Sequence, residues 1–195
     1  MLLIESPHNE RFKKLLKLST DNKFRRKSKL FIIEGLKEIR AALEHNYELE
    51  EVYIDDKYKT AFPEKEFDQV SVTILKHDLF SRLVYREDAS YILAVLKEPV
   101  LDLSQIQLPE NPLIIILENI EKPGNLGALL RTCDAVGADA VILSQDHHNF
   151  FHPNVIRSSV GTVFSNQIAY AGAEEIKLWC KENNIKVYAA ALQTD

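Results

Sequence analysis

The sequence predicts an α/β fold in two parts, a small N-terminal α/β unit followed by a parallel-sheet unit, and three observations carry that reading. Apolar runs of strand length alternate with helix-period stretches along most of the 195 residues. The interval from Lys97 to Pro112 breaks this alternation with three prolines and few periodic residues, so a boundary is expected near Leu101–Glu110. Past it, Leu113–Leu117 is uninterruptedly apolar, as suits a strand of a parallel sheet covered on both faces. The expected units are residues 1–100 and 111–195, joined by 101–110.

Ser6-Pro7 reads as the start of a first helix, with Pro at its first position. Phe12, Leu15, Leu16 and Leu18 form its apolar stripe, with Arg11, Lys14 and Lys17 opposite. Asp21-Asn22 ends it, and Lys23–Lys29 is expected to be a basic turn holding one aromatic. Leu30–Ile33 reads as a strand leaving through Glu34-Gly35. A helix follows from Leu36 to about Asn46, facing inward with Leu36, Ile39, Ala42 and Leu43. Glu51–Ile54 and Val70–Leu75 read as strands, with a polar connection from Asp55 to Glu66. His77–Tyr85 reads as a short helix and Tyr91–Leu96 as a strand.

In the second unit, the strand Leu113–Leu117 leads through Glu121–Gly124 to a helix from Asn125 to about Val136. Asn125 is expected to cap it, and Gly137 to stop it. Ala138–Ser144 is the next strand, and Gln145–Pro153 a polar, His-rich loop. A helix capped by Asn154 runs to Val160. Then come a strand at Asn166–Tyr170, a helix at Glu174–Asn183 and a last strand at Ile185–Ala191.

The net charge of −5 argues on its own against a nucleic-acid partner, but its distribution argues for one. Residues 1–30 hold nine Lys and Arg against three acids, leaving +6, while the rest of the chain carries −11. A concentrated positive patch on an acidic protein suits a polyanion. Basic residues around Phe24 suit RNA, through phosphate contact and base stacking. A solvated helix face is the alternative. Cys133 and Cys180 lie far apart in helical patterns and read as reduced core thiols. No apolar run approaches a membrane span, and the N-terminus lacks the pattern of a secretory leader, so a soluble cytoplasmic chain is expected. His147, His148 and His152 match no standard ligand spacing, so their loop is expected to face solvent or RNA and to hold no metal. Trp179 reads as core or dimer contact, and Ser158 and Ser159 have no Ser-His-Asp context.

The richest stretch is Lys122–Arg131. Leu126, Leu129, Leu130 and Cys133 share one helical face, and Gly124, Gly127, Ala128 and Arg131 share a small, bare one. A bare backbone beside one guanidinium at a helix start suits an anion or a nucleotide. The pattern is neither Gly-x-Gly-x-x-Gly nor a P-loop, which leaves a dinucleotide enzyme as a weak alternative.

Lys122–Gly137 closely resembles the first signature of the SpoU (TrmH) RNA methyltransferases, matched at Asn125, Gly127 and Arg131. Asn154–Gly161 resembles a second segment of the family, matching at Arg157, Ser159 and Gly161, and Lys23–Gly35 is similar to the start of its RNA-binding domain. The resemblance implies a SPOUT-type, trefoil-knotted domain after an RNA substrate-binding domain. It also implies a homodimer, and S-adenosylmethionine as methyl donor to a ribose 2′-hydroxyl of ribosomal or transfer RNA. It makes Arg131 and Asn125 the catalytic candidates, with Arg131 acting either as base or as a clamp on the adjacent phosphate. Arg25, Arg26, Lys27, Lys14, Arg157, Ser159 and Gly127 become the candidates for RNA contact. Family members continue past a strand like Lys186–Ala191 into a tail that supplies most of the donor pocket. This chain stops at Asp195, so an incomplete catalytic domain is expected, and an inactive RNA-binding protein on the same fold is the alternative.

Overall fold

Strand alternation decides which way each layer faces. In the computed structural model, which describes residues 1–85, 90–144 and 149–190, the first unit is a five-stranded mixed sheet. Its strands are β1 (Leu2–Ile4), β2 (Leu30–Glu34), β3 (Leu49–Asp55), β4 (Ser71–Leu75) and β5 (Ile92–Lys97), in the order β1-β4-β3-β5-β2. The first three of that order run parallel, and β5 runs antiparallel to both β3 and β2. Successive side chains point to opposite faces. Ile32, Tyr53, Leu75, Leu93 and Val95 therefore share one face, where they pack on Phe12, Leu15 and Leu18 of α1 (Glu10–Thr20). Phe31, Ile33, Val52, Ile54, Ile92, Ala94 and Leu96 share the other.

That second face joins the two units into one core. Besides α3 (Leu36–Glu44), it meets residues of the second unit: Phe31 stacks on Phe151 at 4.2 Å between ring centroids, and Tyr47 lies edge-on to Phe164 at 5.1 Å. The second unit is a parallel three-stranded sheet in the order β6-β7-β8, from β6 (Ile114–Glu118), β7 (Ala140–Ser144) and β8 (Ile168–Ala171). Val141 and Leu143 face the shared core. Ile142, Ala169 and Ala171 face the other way, onto Ile176 and Cys180 of α8 (Ala173–Glu182). Both cysteines are free and buried. Trp179 is half-buried against this same cluster. The segment 101–110 lies along β8, with Leu103 buried and the Tyr170 amide donating to the Leu101 carbonyl at 2.8 Å.

Several local expectations are corrected. The first helix starts not at Ser6-Pro7 but at Glu10, because Asn9 accepts the Arg11 amide at 2.9 Å. The basic segment after Asp21 is no turn. It is a second helix, α2 (Asn22–Ser28), which Asp21 caps by accepting the Phe24 amide at 3.0 Å while also closing α1. The helix at His77 is only α4 (His77–Phe80), and the chain goes on through tighter turns that bury Leu83. The alternating Ile185–Ala191 makes no strand over its described residues: they pair with none of the described strands, and Val187 and Tyr188 stay exposed. Alternation yields a strand only where a ladder partner takes its backbone groups.

Candidate functional site

The site is built on three helices of the second unit. These are α5 (Pro123–Ala135), α6 (Pro153–Ser159) and the single turn α7 (Thr162–Ser165). The chain leaves β6 and reaches Lys122 in an extended conformation, and Pro123 then takes the first helical position, where its missing N–H costs nothing. Lys122 is thus the cap, and Asn125 sits inside the first turn with its side chain free to face outward. Asn125, Ala128 and Arg131 recur every third residue and are all exposed. They make one strip roughly 9 Å long at 1.5 Å per residue. Neither Asn125 nor Arg131 has a side-chain partner among the described residues.

Gly127 does not share that bare strip. It is buried where α5 crosses α6, and a methyl group added there would overlap the Ser158 hydroxyl and lie 2.8 Å from the Ser159 backbone nitrogen. Its glycine serves the helix crossing rather than a ligand. Gly137, at φ +69°, does end the helix region as expected.

α6 is capped by His152, not by Asn154. The His152 Nδ1 accepts the Asn154 amide at 3.1 Å, which requires that nitrogen to be unprotonated. Burial, and secondarily the charge of Arg25, hold the imidazole below its ordinary pKa and so in that form. The unfolded chain consequently binds the proton first as pH falls. The contribution to stability is complete above the ordinary value near 6.5 and is lost as pH drops below it. Urea midpoints measured from pH 7.5 to 5.5 are expected to fall, and His152→Asn, which keeps a cap but removes the titration, should flatten the decline. His147 and His148 lie outside the described residues.

Of the three matched positions of the second motif, only Arg157 is exposed. Its guanidinium lies over the Tyr85 ring at 3.7 Å, and its Nη2 donates to Asn154 Oδ1 at 3.2 Å. Ser159 is fully buried, so the RNA contact expected of it is corrected. Its hydroxyl donates to the Ile156 carbonyl at 2.9 Å and accepts the Val163 amide at 3.4 Å, tying α6 to α7. Gly161, at φ +91°, permits the sharp turn between those two helices.

On the N-terminal unit, Lys23, Arg26 and Lys27 are exposed on α2, with Lys13 and Lys17 exposed on α1 and Lys14 half-buried. Arg25 is the exception and another correction. It is 1% exposed, its Nη1 donates to the Leu18 carbonyl at 2.7 Å, and its buried Nε has no partner among the described residues. Burial lowers its pKa while Asp21 opposes the shift. Helical spacing explains it: Phe24, Arg25 and Ser28 form the inner stripe of α2, and Lys23, Arg26 and Lys27 the outer one. Had residues 22–28 been read as a helix, the stripe would have excluded Arg25 from the RNA surface.

Comparison with known proteins settles the family. The profile of the SpoU rRNA Methylase family matches residues 112–195, and that of the MRM3-like substrate binding domain matches residues 9–94. The chain is 30% identical over 193 residues, 99% of its length and 75% of the relative's, to the Bacillus subtilis 23S rRNA (guanosine(2553)-2′-O)-methyltransferase RlmP. It belongs to the SpoU rRNA methylase family.

A Streptomyces viridochromogenes 23S rRNA (uridine(2479)-2′-O)-methyltransferase is 27% identical over 80% of this chain, which spans 56% of that relative. The crystal structure of the SpoU methyltransferase AviRb from the same organism, in complex with AdoMet, superposes with a TM-score of 0.83. It has 25% identity and covers 91% of this chain and 69% of that one. A crystal structure of an RNA 2′-O ribose methyltransferase gives 0.75 at 32% identity, over 94% and 70% of the two chains. Clefts of about 360, 560 and 660 Å³ are among those that open on the described residues of this SpoU chain. None is lined by α5 or by the strand ends Glu118 and Ser144. None of these three clefts is therefore a pocket for S-adenosylmethionine beside Asn125 and Arg131.

Proposed function

We propose that this chain serves S-adenosylmethionine-dependent methylation of a ribose 2′-hydroxyl in ribosomal RNA, working as a homodimer. The observation that carries the reading is the outward strip Asn125–Ala128–Arg131, with the family's Asn and Arg both free, on a chain 99% of which aligns with 75% of an rRNA 2′-O-methyltransferase. The family's donor supplies an electrophilic methyl group.

The chain's own residues hold the acceptor. A guanidinium is always protonated in proteins, so Arg131 is a poor base but a good bidentate clamp for the phosphate beside the target ribose. Fixing that phosphate orients the 2′-oxygen and leaves a phosphate oxygen to take its proton. Asn125, six residues or about 1.7 turns earlier along the same row, can hydrogen-bond the ribose. The exposed Lys and Arg of α1 and α2 hold flanking phosphates.

Transfer of tritiated methyl groups from the donor to 23S rRNA fragments tests the reading, and the expected result is incorporation at a single nucleotide whose 3′-phosphodiester becomes resistant to alkaline hydrolysis. One observation favours a second reading, an RNA-binding protein without transfer: none of the three clefts described above is lined by α5. Isothermal titration separates the two, because 1:1 donor binding to the 195-residue chain eliminates the binding-only reading. Replacing Arg26 and Lys27 together by Ala should weaken RNA binding and reduce the slope of log K against log salt by about 1.5 to 2. An unchanged slope would place the RNA on another face.

A further inference from the structure

The cleft of about 360 Å³ lies where the two units meet, between the end of α1, the Glu34–Glu38 corner, the chain around Arg82–Tyr85, and α6. We propose that it holds one unpaired guanine nucleotide of the RNA; the inference rests on the RNA methylation reading and adds a base-specific subsite to it. Its size is at the small end of ligand pockets, enough for a base with its sugar and too small for a duplex.

Four features converge there. Tyr85 is two-thirds exposed, and one face of its ring already carries the Arg157 guanidinium at 3.7 Å, leaving the other for a base to stack on. Its backbone amide donates to Glu34 Oε2 at 2.9 Å, which fixes the chain at the ring. The Glu38 carboxylate folds back over Gly35, 2.6 Å from where a Cβ would stand, and has no hydrogen-bond or ion-pair partner among the described residues. Gly35 has φ +99°, so this corner is formed as it is only by glycine. Arg82 lies over the Phe12 ring at 5.3 Å and has no polar side-chain partner among the described residues, so its donors remain for a phosphate.

The carboxylate selects the base. A carboxylate only accepts, through two oxygens side by side. Guanine alone presents two adjacent N–H donors, N1–H and N2–H, on its Watson–Crick edge. Adenine and cytosine set a ring acceptor beside their amino group, and uracil flanks its single N–H with two carbonyls, which the carboxylate repels. Ser19 and Thr20, at the end of the basic helix α1, line the same cleft, so a strand following the phosphate contacts of α1 and α2 runs directly into it.

Fluorescence anisotropy with 5′-labelled single-stranded heptamers, a central G in a U background against U throughout, tests this on the intact chain. The guanine heptamer should bind roughly tenfold more tightly. Glu38→Gln should erase that preference and leave the uridine heptamer's affinity no weaker. Tyr85→Ala, at an exposed position that leaves the fold intact, should weaken the guanine heptamer several-fold. Equal affinity for both heptamers, a preference that survives Glu38→Gln, an unaffected Tyr85→Ala variant, or no binding of either heptamer would each overturn the proposal. Displacement of the guanine heptamer by micromolar GMP would overturn the RNA assignment in favour of a free-nucleotide site. Methyl transfer to 23S rRNA fragments is scored in the same preparations. Transfer without guanine preference sinks the cleft alone, and guanine preference without transfer sinks the methylation reading alone.

Discussion

Arg131→Ala is expected to lower methyl transfer to ribosomal RNA by two to three orders of magnitude, the loss typical of removing one preorganised charged donor from a reacting centre. The fold should be untouched: Arg131 is exposed and makes no contact with a side-chain partner among the described residues. RNA affinity should change little, since one phosphate contact among several is lost, and the salt slope should fall by less than one. The effect therefore belongs in kcat rather than in KM. Arg131→Lys discriminates between the two roles open to this residue. A clamp keeps part of its function with a point charge while losing the bidentate fork, so the Lys variant should fall between wild type and Ala. Turnover retained in Arg131→Ala would remove the residue from the chemistry and leave Asn125 to be tested alone.

Much of this arrangement is legible in the residues, and the failures share a cause. The strands β2, β3, β5, β6 and β7 announce themselves by alternation or by unbroken apolar runs, because burial on one face or both dictates period 2 or none. Helix starts fared worse. Three sites nominated by capping chemistry, Ser6-Pro7, Asn125 and Asn154, each lie within a few residues of the true cap, which is Asn9, Lys122 or His152. In the last two, a Pro at the first helical position marks the start more faithfully than the Asn one or two places beyond it. His152 is not legible as a cap because imidazole is an uncommon acceptor; here burial favours the neutral form that accepts. Among the site residues, Arg131, Asn125, Arg26, Lys27 and Arg157 lie on the surface, where contact with RNA is open to them. Arg25, Ser159 and Gly127 do not, for a reason no one-dimensional motif carries. Each sits where one helix meets another element, and residue type alone does not say which side of the helix is covered. Tyr85 and Glu38 had no motif at all, since the cleft they line exists only because the two units share a core.

Gly127→Ala makes that distinction measurable. A glycine read as a bare ligand cradle would tolerate a methyl group, and the change would even raise stability by up to about 1 kcal/mol through helix propensity. A glycine at a helix crossing behaves in the opposite way. The added methyl would overlap the Ser158 hydroxyl and stand 2.8 Å from both the Ser158 Cβ and the Ser159 backbone nitrogen. The hydroxyl can rotate, but the backbone nitrogen moves only with α6 itself. α5 cannot retreat either, because Leu126, Leu130 and Cys133 are buried on its inner side. Overpacking of this kind costs roughly 1–3 kcal/mol, and here it falls on backbone, so it should outweigh the propensity gain. In a chain of this length, each kcal/mol lowers Tm by about 2–4 °C. A drop of several degrees is therefore expected in thermal melts of Gly127→Ala, and a larger one in Gly127→Val. Ser158→Ala in the same chain should restore only part of the loss: it removes the hydroxyl but leaves the Ser159 nitrogen in place. A Gly127→Ala protein that melts at or above the wild-type temperature would return this glycine to the ligand-facing side of α5.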